Sequence, residues 1–371
     1  MHRFLLLFAL LTALAACQDD DITGGNGTTD PADNFDRRAM LAHWADDVIV
    51  PGYEDLAERT LALRTATTAF ADAPDAEGYA QLTDAWETAY RTFQRVSMFE
   101  IGPAETLRFT NQLNVYPTDV EEVTGNVLSG SYNLDLPSQV DAQGFPALDY
   151  LLHGIADDPV DFYQNHEYAA EYGAYLTVLA TRIDELTQSV LTEWTEDYRD
   201  RYVENSGNSA TASVDKTVND FVFYYEKHLR AGKVGIPAGV FSGNALPNTV
   251  EARYRGDLNR AFLLEAVDAV RGFFRGNGYG DTGSGPSMED YLRYLEVEKN
   301  GAPLAEVIEA QFEDIVTLAN KLDDSFAAQI ESDNNQLLET YDALQRNVVY
   351  FKVDMLQAFN VNVDYVDADG D

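Results

Sequence analysis

Residues 304–326 read LAEVIEAQFEDIVTLANKLDDSF, and their apolar side chains recur three or four positions apart. This spacing matches the turn of an α-helix and places the apolar side chains on one face. The next stretch, residues 337–359, shows the same period. The apolar positions of the two stretches are Leu304, Val307, Ile308, Phe312, Ile315, Leu318, Leu322, Phe326, Leu337, Leu338, Tyr341, Leu344, Val348, Phe351, Met355 and Phe359. Both stretches predict long amphipathic helices.

The same helical period recurs earlier in the chain, in residues 79–93 and 218–229. Alternating patterns with hairpin turns, which indicate strands, are scarce, so the sequence predicts an all-α fold. The polar interval nearest the middle of the chain is 204–212. A boundary near residue 208 divides the folded part into two helical bundles, 34–207 and 208–371, packed against each other.

The charge of the chain is strongly negative. The 63 Asp and Glu residues exceed the 25 Lys and Arg residues, which gives a formal net charge of −38. Nucleic-acid binding needs positive charge, because Lys and Arg neutralise the phosphate backbone. The composition therefore excludes nucleic acid as a partner. The hydrophobic fraction of 45% indicates a folded chain rather than a disordered one.

The N-terminus carries signals of export and lipid attachment. An apolar run leads into Leu14-Ala15-Ala16-Cys17, which resembles a bacterial lipobox. We expect residues 1–16 to be a signal peptide, Cys17 to be lipidated as a membrane anchor, and residues 17–33 to form a flexible tether. Ordinary secretion with an incidental cysteine is the alternative. Gln18-Asp19-Asp20-Asp21 is similar to the stretch that sends some Bacteroidetes lipoproteins to the cell surface, so the expected location is the outer membrane.

Four sequence blocks resemble those of a known family. They are Trp86-x-x-x-Tyr90-Arg91 running on to Gly102-Pro103, Tyr116-Pro117-x-Asp119, Gly144-Phe145-Pro146-Ala147-Leu148-Asp149, and Lys233-Val234-Gly235-Ile236-Pro237-Ala238-Gly239. In this order they are similar to blocks of the imelysin family, also called M75 peptidase-like. The resemblance implies two helical-bundle domains with a cleft between them, in cell-envelope proteins linked to iron acquisition. Some relatives are described as metallopeptidases.

The chain departs from the family at its Gly-x-His-x-x-Glu motif, which reads Gly144-x-Pro146-x-x-Asp149 here. A His and a carboxylate three residues apart share one helical face and can bind one metal ion, whereas proline offers no lone pair. The sequence therefore assigns no catalytic residue and disfavours an enzyme. Pro146 instead fits the first turn of a helix, where a missing N–H costs nothing. Asp149 lies among leucines, and we expect it either to bind a ligand or to be paired with a cation.

Asp149 and His153 are four residues apart, so both side chains can face one metal ion from the same helix. Iron or another divalent cation is the expected ligand, since the resemblance implies iron acquisition. The alternative is that His153, followed by Gly154, ends a helix, where the helix dipole favours its positive charge. The ending Asp367-Ala368-Asp369-Gly370-Asp371 resembles a shortened calcium loop and is a candidate for Ca²⁺.

Further candidate ligand-binding residues in the family blocks are Arg91, Tyr116, Asp119 and Lys233. Arg91 can reach Asp149 or Asp119 across the first bundle. Tyr116 can present its hydroxyl to the cleft, and Lys233 lies in a predicted loop, where function often collects. The alternative for each residue is an ion pair or hydrogen bond that secures the fold.

Three functions follow from these observations. The first, which we favour, is a lipid-anchored binding protein that takes part in iron acquisition with other iron-uptake components. The second is an M75-type metallopeptidase, which would gather its ligands from distant segments because the chain has no His-Glu-x-x-His sequence. The third is a metal-free surface module that binds a protein or glycan through a tyrosine-rich cleft.

Overall fold

The computed structural model describes residues 34–365. The signal peptide 1–16, the lipidated Cys17, the tether 17–33 and the calcium-like tail 367–371 lie outside the described residues and stay predictions. Every helix of the described part is too short or too polar to cross a lipid bilayer.

The described chain is predominantly helical with almost no strand, which confirms the predicted all-α fold. The α-helices are α1 (Arg37–His43), α2 (Val50–Asp72), α3 (Ala76–Val96), α4 (Pro103–Leu107), α5 (Phe109–Leu113), α6 (Val120–Ser129), α7 (Gly144–Asp149), α8 (Pro159–Asn165), α9 (Ala169–Glu193), α10 (Arg199–Glu204), α11 (Ser213–Phe223), α12 (Ile236–Ala238), α13 (Asn259–Arg275), α14 (Met288–Tyr294), α15 (Leu304–Ala319), α16 (Phe326–Val349) and α17 (Leu356–Ala358). Turns of 3₁₀-helix occur at Pro137–Ala142, Pro247–Thr249 and Tyr279–Asp281. A short antiparallel hairpin pairs β1 (Glu298–Lys299) with β2 (Ala302–Pro303).

Several helices continue into a π-helical stretch, in which each backbone hydrogen bond spans one residue more than in an α-helix. These stretches are Trp44–Ile49, Tyr150–Gly154, Trp194–Tyr198, Tyr224–Gly235 and Tyr350–Met355. Such turns are frequent at functional sites. Two of them carry residues predicted for the site, because His153 lies in Tyr150–Gly154 and Lys233 lies in Tyr224–Gly235.

Helix α3 forms where an apolar stripe follows a strong N-terminal cap. The Asp75 side chain accepts a hydrogen bond from the Gly78 N–H at 2.7 Å, which satisfies a donor that has no partner within the helix. The fully buried residues of the stripe are Leu82, Trp86, Ala89, Tyr90 and Phe93. The predicted apolar face of α3 is therefore its core-facing side.

The apolar pattern of residues 304–326 belongs to two helices rather than one. Helix α15 ends at Ala319, and α16 begins at Phe326. The cause is local, because the Ser325 hydroxyl accepts a hydrogen bond from the Ala328 N–H at 3.3 Å and caps the new helix. Leu322 and Phe326 are buried although the helix is interrupted. The apolar period of the sequence therefore predicts which residues are buried, but it does not predict where α15 ends.

Helix packing connects the two halves of the chain. Helix α2 packs on α3 and α9, while α13, α15, α16 and the stretch Tyr224–Gly235 pack together. Helix α13 also packs on α3, and α1 packs on α11. The polar interval around residue 208 lies between α10 and α11. The described residues from Asp36 onward group as one compact unit, and the division of the chain into 34–207 and 208–371 with a cleft between them stays a prediction.

Candidate functional site

Asp149 is buried at the C-terminal end of α7, where 1% of its surface is exposed. Its Oδ2 accepts a hydrogen bond from the Tyr254 N–H at 2.8 Å, and its Oδ1 accepts one from the Arg255 N–H at 2.9 Å. Burial raises the pKa of Asp149 to about 7, although the two N–H donors and the Arg255 guanidinium act to lower it. Asp149 therefore holds the turn at residues 254–255 against α7.

His153 lies in the π-helical stretch that follows α7. Its ring packs edge-on against Trp86 with 5.2 Å between centroids, and its Nδ1 is 3.4 Å from the Tyr79 hydroxyl. Burial lowers the pKa of His153 to about 4, so the ring is neutral at pH 7. It is therefore not the helix-ending cation of the alternative interpretation. Its buried Nε2 has no hydrogen-bond partner among the described residues.

The other two motif positions begin the helix that carries Asp149. Gly144 has a φ of +76°, and a Cβ at this position would lie 2.2 Å from the carbonyl oxygen of Leu113. Only glycine fits this backbone position without displacing its neighbour. Pro146 is the third residue of α7. Its missing N–H falls in the first turn, as predicted, where an N–H has no partner within the helix.

Arg91 pairs with residues other than those predicted. Its guanidinium lies 3.0 Å from Glu87, one turn earlier on α3, and 3.8 Å from Glu265 on α13. The predicted contact with Asp149 or Asp119 is wrong, because a carboxylate four residues away on the same helix is already within reach. The geometry matches the alternative of a fold-securing ion pair.

Asp119 also has a structural role. It is exposed and precedes α6, where its Oδ1 accepts hydrogen bonds from the Glu121 and Glu122 N–H groups, each at 2.9 Å. Aspartate commonly caps the N-terminus of a helix in this way. Asp119 therefore secures the start of α6.

Lys233 and Tyr116 lie at one place. Lys233 belongs to a π-helical stretch rather than to the predicted loop, since the widened turn keeps the backbone helical across its glycines. Its ammonium donates to the Gln94 Oε1 at 2.6 Å and forms a closer ion pair with Glu251. Burial lowers the pKa of Lys233, while Glu251 acts to raise it. The Tyr116 hydroxyl oxygen lies 3.3 Å from the position that a Cβ would take on Gly232, the residue before Lys233.

Glu251 is the centre of a buried polar cluster, and 3% of its surface is exposed. Its Oε1 accepts hydrogen bonds from the Tyr90 hydroxyl at 3.1 Å, the Gln94 amide at 3.0 Å and the Asn114 amide at 2.8 Å. Its Oε2 binds the Lys233 ammonium. A buried carboxylate is stable when its charge is paired and its lone pairs are used, and both conditions hold here. These five side chains are named the Glu251 cluster.

A small cavity adjoins the Glu251 cluster, with room for about one water molecule. Tyr116, Tyr224 and His228 line it together with members of the cluster. Burial lowers the pKa of His228 to about 4, and the Lys233 ammonium also lowers it, so the ring keeps a lone pair at pH 7. Burial, followed by the charge of Glu251, raises the pKa of Tyr116 well above its ordinary value. The cavity therefore presents the neutral His228 ring and Tyr116 hydroxyl, beside the Lys233 ammonium, to a guest the size of a water molecule or an ion.

Asp149 and the Glu251 cluster are joined by one turn. Residues 251–255 supply the carboxylate of Glu251 to the cluster and two N–H groups to Asp149. A second contact joins the Glu251 cluster to α7, because the Tyr90 ring stacks on the Phe145 ring of α7 with 4.6 Å between their centroids. The candidate site thus lies where α3, α7, the stretch Tyr224–Gly235 and this turn meet, and Asp149 acts there as a positioning residue.

Asp149 and His153 do not form a site for a resident metal ion. Within residues 34–365, no group of three or more His, Cys, Asp or Glu side chains is placed to hold one. Both oxygens of Asp149 face backbone donors, while His153 packs against Trp86. The pair predicted for a metal therefore lacks a third ligand.

Sequence reasoning did not identify Glu251, Gln94 or Asn114. In a chain with 63 Asp and Glu residues, no single carboxylate stands out by composition. One signal was present, because Glu251 lies between Val250 and Ala252, and a carboxylate flanked by apolar residues is a candidate for burial. Gln94 and Asn114 carry no comparable signal.

Comparison with known sequences gives a consistent result. The sequence model of the M75 peptidase family, described as imelysin, matches residues 49–348. Iron-regulated protein A of Synechococcus elongatus is 24% identical over 152 residues, which are 41% of this chain and 38% of that relative. The aligned part thus spans less than half of the relative's own length.

Two solved structures share the fold. An imelysin-like protein from Psychrobacter arcticum superposes with a TM-score of 0.66 and 17% identity, covering 89% of this chain and 97% of that chain. A protein described as an iron-regulated protein A precursor, from Parabacteroides distasonis, superposes with a TM-score of 0.71 and 17% identity, covering 87% and 95%. At this identity, the likeness establishes the all-helical fold.

Proposed function

Since this chain belongs to the imelysin family, we propose that it is a binding protein that takes part in iron acquisition at the bacterial cell envelope, together with other iron-uptake components. The observation that carries the proposal is the sequence match to a relative named iron-regulated protein A. The iron is cargo in this proposal, and no catalytic step is assigned.

The proposed binding site is the Glu251 cluster with its adjoining cavity. Carboxylate, imidazole and phenol groups are suitable iron ligands. His228 and Tyr116 line the cavity, and Glu251 adjoins it through Lys233, which lines the cavity and binds the Glu251 carboxylate. Lys233 neutralises Glu251 in the described state. An incoming iron ion therefore competes with the Lys233 ammonium for the Glu251 carboxylate, and Asp149 keeps the turn of Glu251 in position.

The test is an anaerobic Fe²⁺ titration of the full-length protein, purified in detergent without chelator, with Zn²⁺ and Ca²⁺ as comparators. We expect wild type to bind one iron ion and Glu251→Gln to lose it. Lys233→Met removes the competing ammonium and is expected to bind iron about tenfold more tightly. The matched control is Glu226→Gln, because Glu226 is fully buried in the same π-helical stretch but pairs with Lys227 and Lys352.

Two results would contradict the proposal. One is the absence of iron from both wild type and Lys233→Met. The other is equal iron affinity in Glu251→Gln and Glu226→Gln. Chelator-sensitive cleavage of casein by the same preparation would favour the M75-type metallopeptidase instead.

The proposed location is the outer membrane, with lipidated Cys17 as the anchor. The support is the lipobox-like sequence that ends at this residue. Cys17→Ser is expected to move the protein from the membrane fraction to the soluble fraction, whereas Thr28→Ser in the tether is expected to leave it in the membrane. Retention of Cys17→Ser in the membrane would contradict the anchor.

A further inference from the structure

A cavity of about 300 Å³ lies between α3, the C-terminal part of α13 and the glycine-rich segment 276–280. Arg95, Arg271 and Arg275 line it, together with Tyr279. The chain has only 25 basic residues against 63 acidic ones, and three of the arginines meet at this one cavity, each paired with a glutamate beside it. This cavity is separate from the Glu251 cluster and has no part in the proposed iron role.

Carboxylates orient the three guanidinium groups. The Glu309 Oε2 accepts hydrogen bonds from the Arg271 Nε at 3.1 Å and from Arg275. The Glu265 Oε2 accepts one from the Arg95 Nε at 2.8 Å. Each guanidinium carries five N–H donors in a planar fork, so these bonds fix its direction and leave further donors for a ligand.

The lining of the cavity favours an anion. Asp268 is the one carboxylate among the described residues that line the cavity, and it is exposed. An exposed charge is screened by water and salt, and it opposes a ligand less than a buried charge would. The Phe99 and Phe273 rings, which meet edge-on with 5.0 Å between centroids, form an apolar part of the wall.

We propose that this cavity binds a small oligocarboxylate anion, whose carboxylate groups pair with Arg95, Arg271 and Arg275. The planar fork of arginine matches a carboxylate through two parallel hydrogen bonds. Glu265 and Glu309 each accept from these guanidinium groups through one oxygen, Oε2, so the carboxylates of a ligand pair with the N–H donors that remain. A volume of about 300 Å³ suits an organic ligand and exceeds what a single inorganic anion fills.

The test is a metal-free calorimetric titration of the full-length protein with citrate and with tricarballylate at low ionic strength. Tricarballylate lacks the hydroxyl of citrate and chelates iron weakly, so its binding separates anion recognition from any iron role. Acetate and inorganic phosphate are the comparators. We expect one tricarboxylate per chain, with an affinity that falls as salt is added and that exceeds those of acetate and phosphate by at least about tenfold.

The variants are Arg271→Gln and Arg275→Gln, and each is expected to weaken tricarboxylate binding by at least about tenfold. The Arg275 side chain is 38% exposed, so its replacement is expected to leave the fold intact, which circular dichroism checks. The matched control is Arg293→Gln, since Arg293 pairs with Glu289 on α14 and does not line this cavity.

Three outcomes would overturn the inference. The first is the absence of saturable tricarboxylate binding. The second is equal affinity in Arg275→Gln and Arg293→Gln. The third is phosphate binding as tight as that of tricarballylate, which would point to a general anion site. Each outcome is read without metal, so it is independent of the result of the iron titration.

Discussion

Gly144 is a motif residue whose identity is dictated by the backbone, and its replacement tests this explanation. Gly144 has a φ of +76°, and Gly144→Ala places a methyl group against the carbonyl oxygen of Leu113. We expect a loss of about 2–5 kcal/mol in the free energy of unfolding, from overpacking and an unfavourable backbone conformation. Urea denaturation measures it. The matched control is Gly125→Ala in α6, where no atom lies within 4 Å of the new methyl group and a gain of about 0.5–1 kcal/mol is expected. Equal effects would contradict the explanation.

Replacing only one partner of the Lys233–Glu251 ion pair is expected to lower the free energy of unfolding. Lys233→Met leaves the Glu251 carboxylate buried without its cation, and we expect a loss of about 3–5 kcal/mol in the free energy of unfolding. Adding Glu251→Gln removes the stranded charge, so the double variant is expected to lose less than the sum of the single losses. Lys216→Met is the control, because Lys216 forms an exposed pair with Asp364 worth about 0–1 kcal/mol. Additive losses would show that the pair is not coupled.

At the scale of single residues, the sequence could predict only part of the candidate site. Tyr116 and Lys233 were identified from their blocks, and the structure brings both to the cavity. Glu251 was missed because its partners are remote, with Lys233 18 positions away and Tyr90 161 positions away. Local spacing cannot show which of many carboxylates folds onto one lysine. That choice is made by tertiary packing.

At the scale of elements, burial of one helix face imposes a period that sequence analysis can detect. The stripes of α3 and α15 were predictable for this reason. The break between Ala319 and Phe326 was not, because it depends on a single capping side chain, Ser325. The π-helical stretches were also missed, since a one-residue widening changes the period too little to stand out in a short segment.

The contact between α7 and the turn 251–255 is expected to depend on pH through Asp149. Its pKa rises from the ordinary 3.8 to about 7 in the fold, so the folded chain holds this proton more tightly than the unfolded chain does. The contribution of this group to the free energy of unfolding is therefore complete below about pH 4 and is lost as the pH rises through about 7. We expect the difference between wild type and Asp149→Asn, measured by urea denaturation from pH 4 to pH 8, to shift in favour of the variant as the pH rises.

The difference between wild type and Asp149→Asn cancels the pH dependence that other buried acids give to the free energy of unfolding. Burial also raises the pKa of Glu100 to about 7 and of Asp220 to about 8, and both are present in wild type and variant alike. Asp119→Asn is the matched control, because Asp119 also accepts two backbone N–H groups but is exposed. A constant difference between wild type and Asp149→Asn across this range would contradict the assignment.

At the scale of the whole molecule, the acidic surplus sets the response to salt. With 63 acidic and 25 basic residues, at least 38 carboxylates remain even if every cation pairs with one. Many ion pairs are exposed, as with Arg201 and Asp197, and such pairs contribute little. Repulsion among the remaining carboxylates destabilises the compact state more than exposed pairs stabilise it. Salt screens both the repulsion and the exposed ion pairs. Because the repulsion is the larger effect, its screening decides whether the free energy of unfolding rises or falls.

We therefore expect the free energy of unfolding to rise as NaCl increases from about 0.02 to 0.5 M, with most of the gain below about 0.15 M, where the Debye length has already fallen to about 8 Å. Thermal and urea denaturation at pH 8 measure it, with KCl and choline chloride compared at equal ionic strength. Equal curves for the three salts identify screening, whereas an advantage of one cation identifies a specific site. A stability that stays flat or falls with salt would mean that local ion pairs outweigh the repulsion, because only they are weakened by screening.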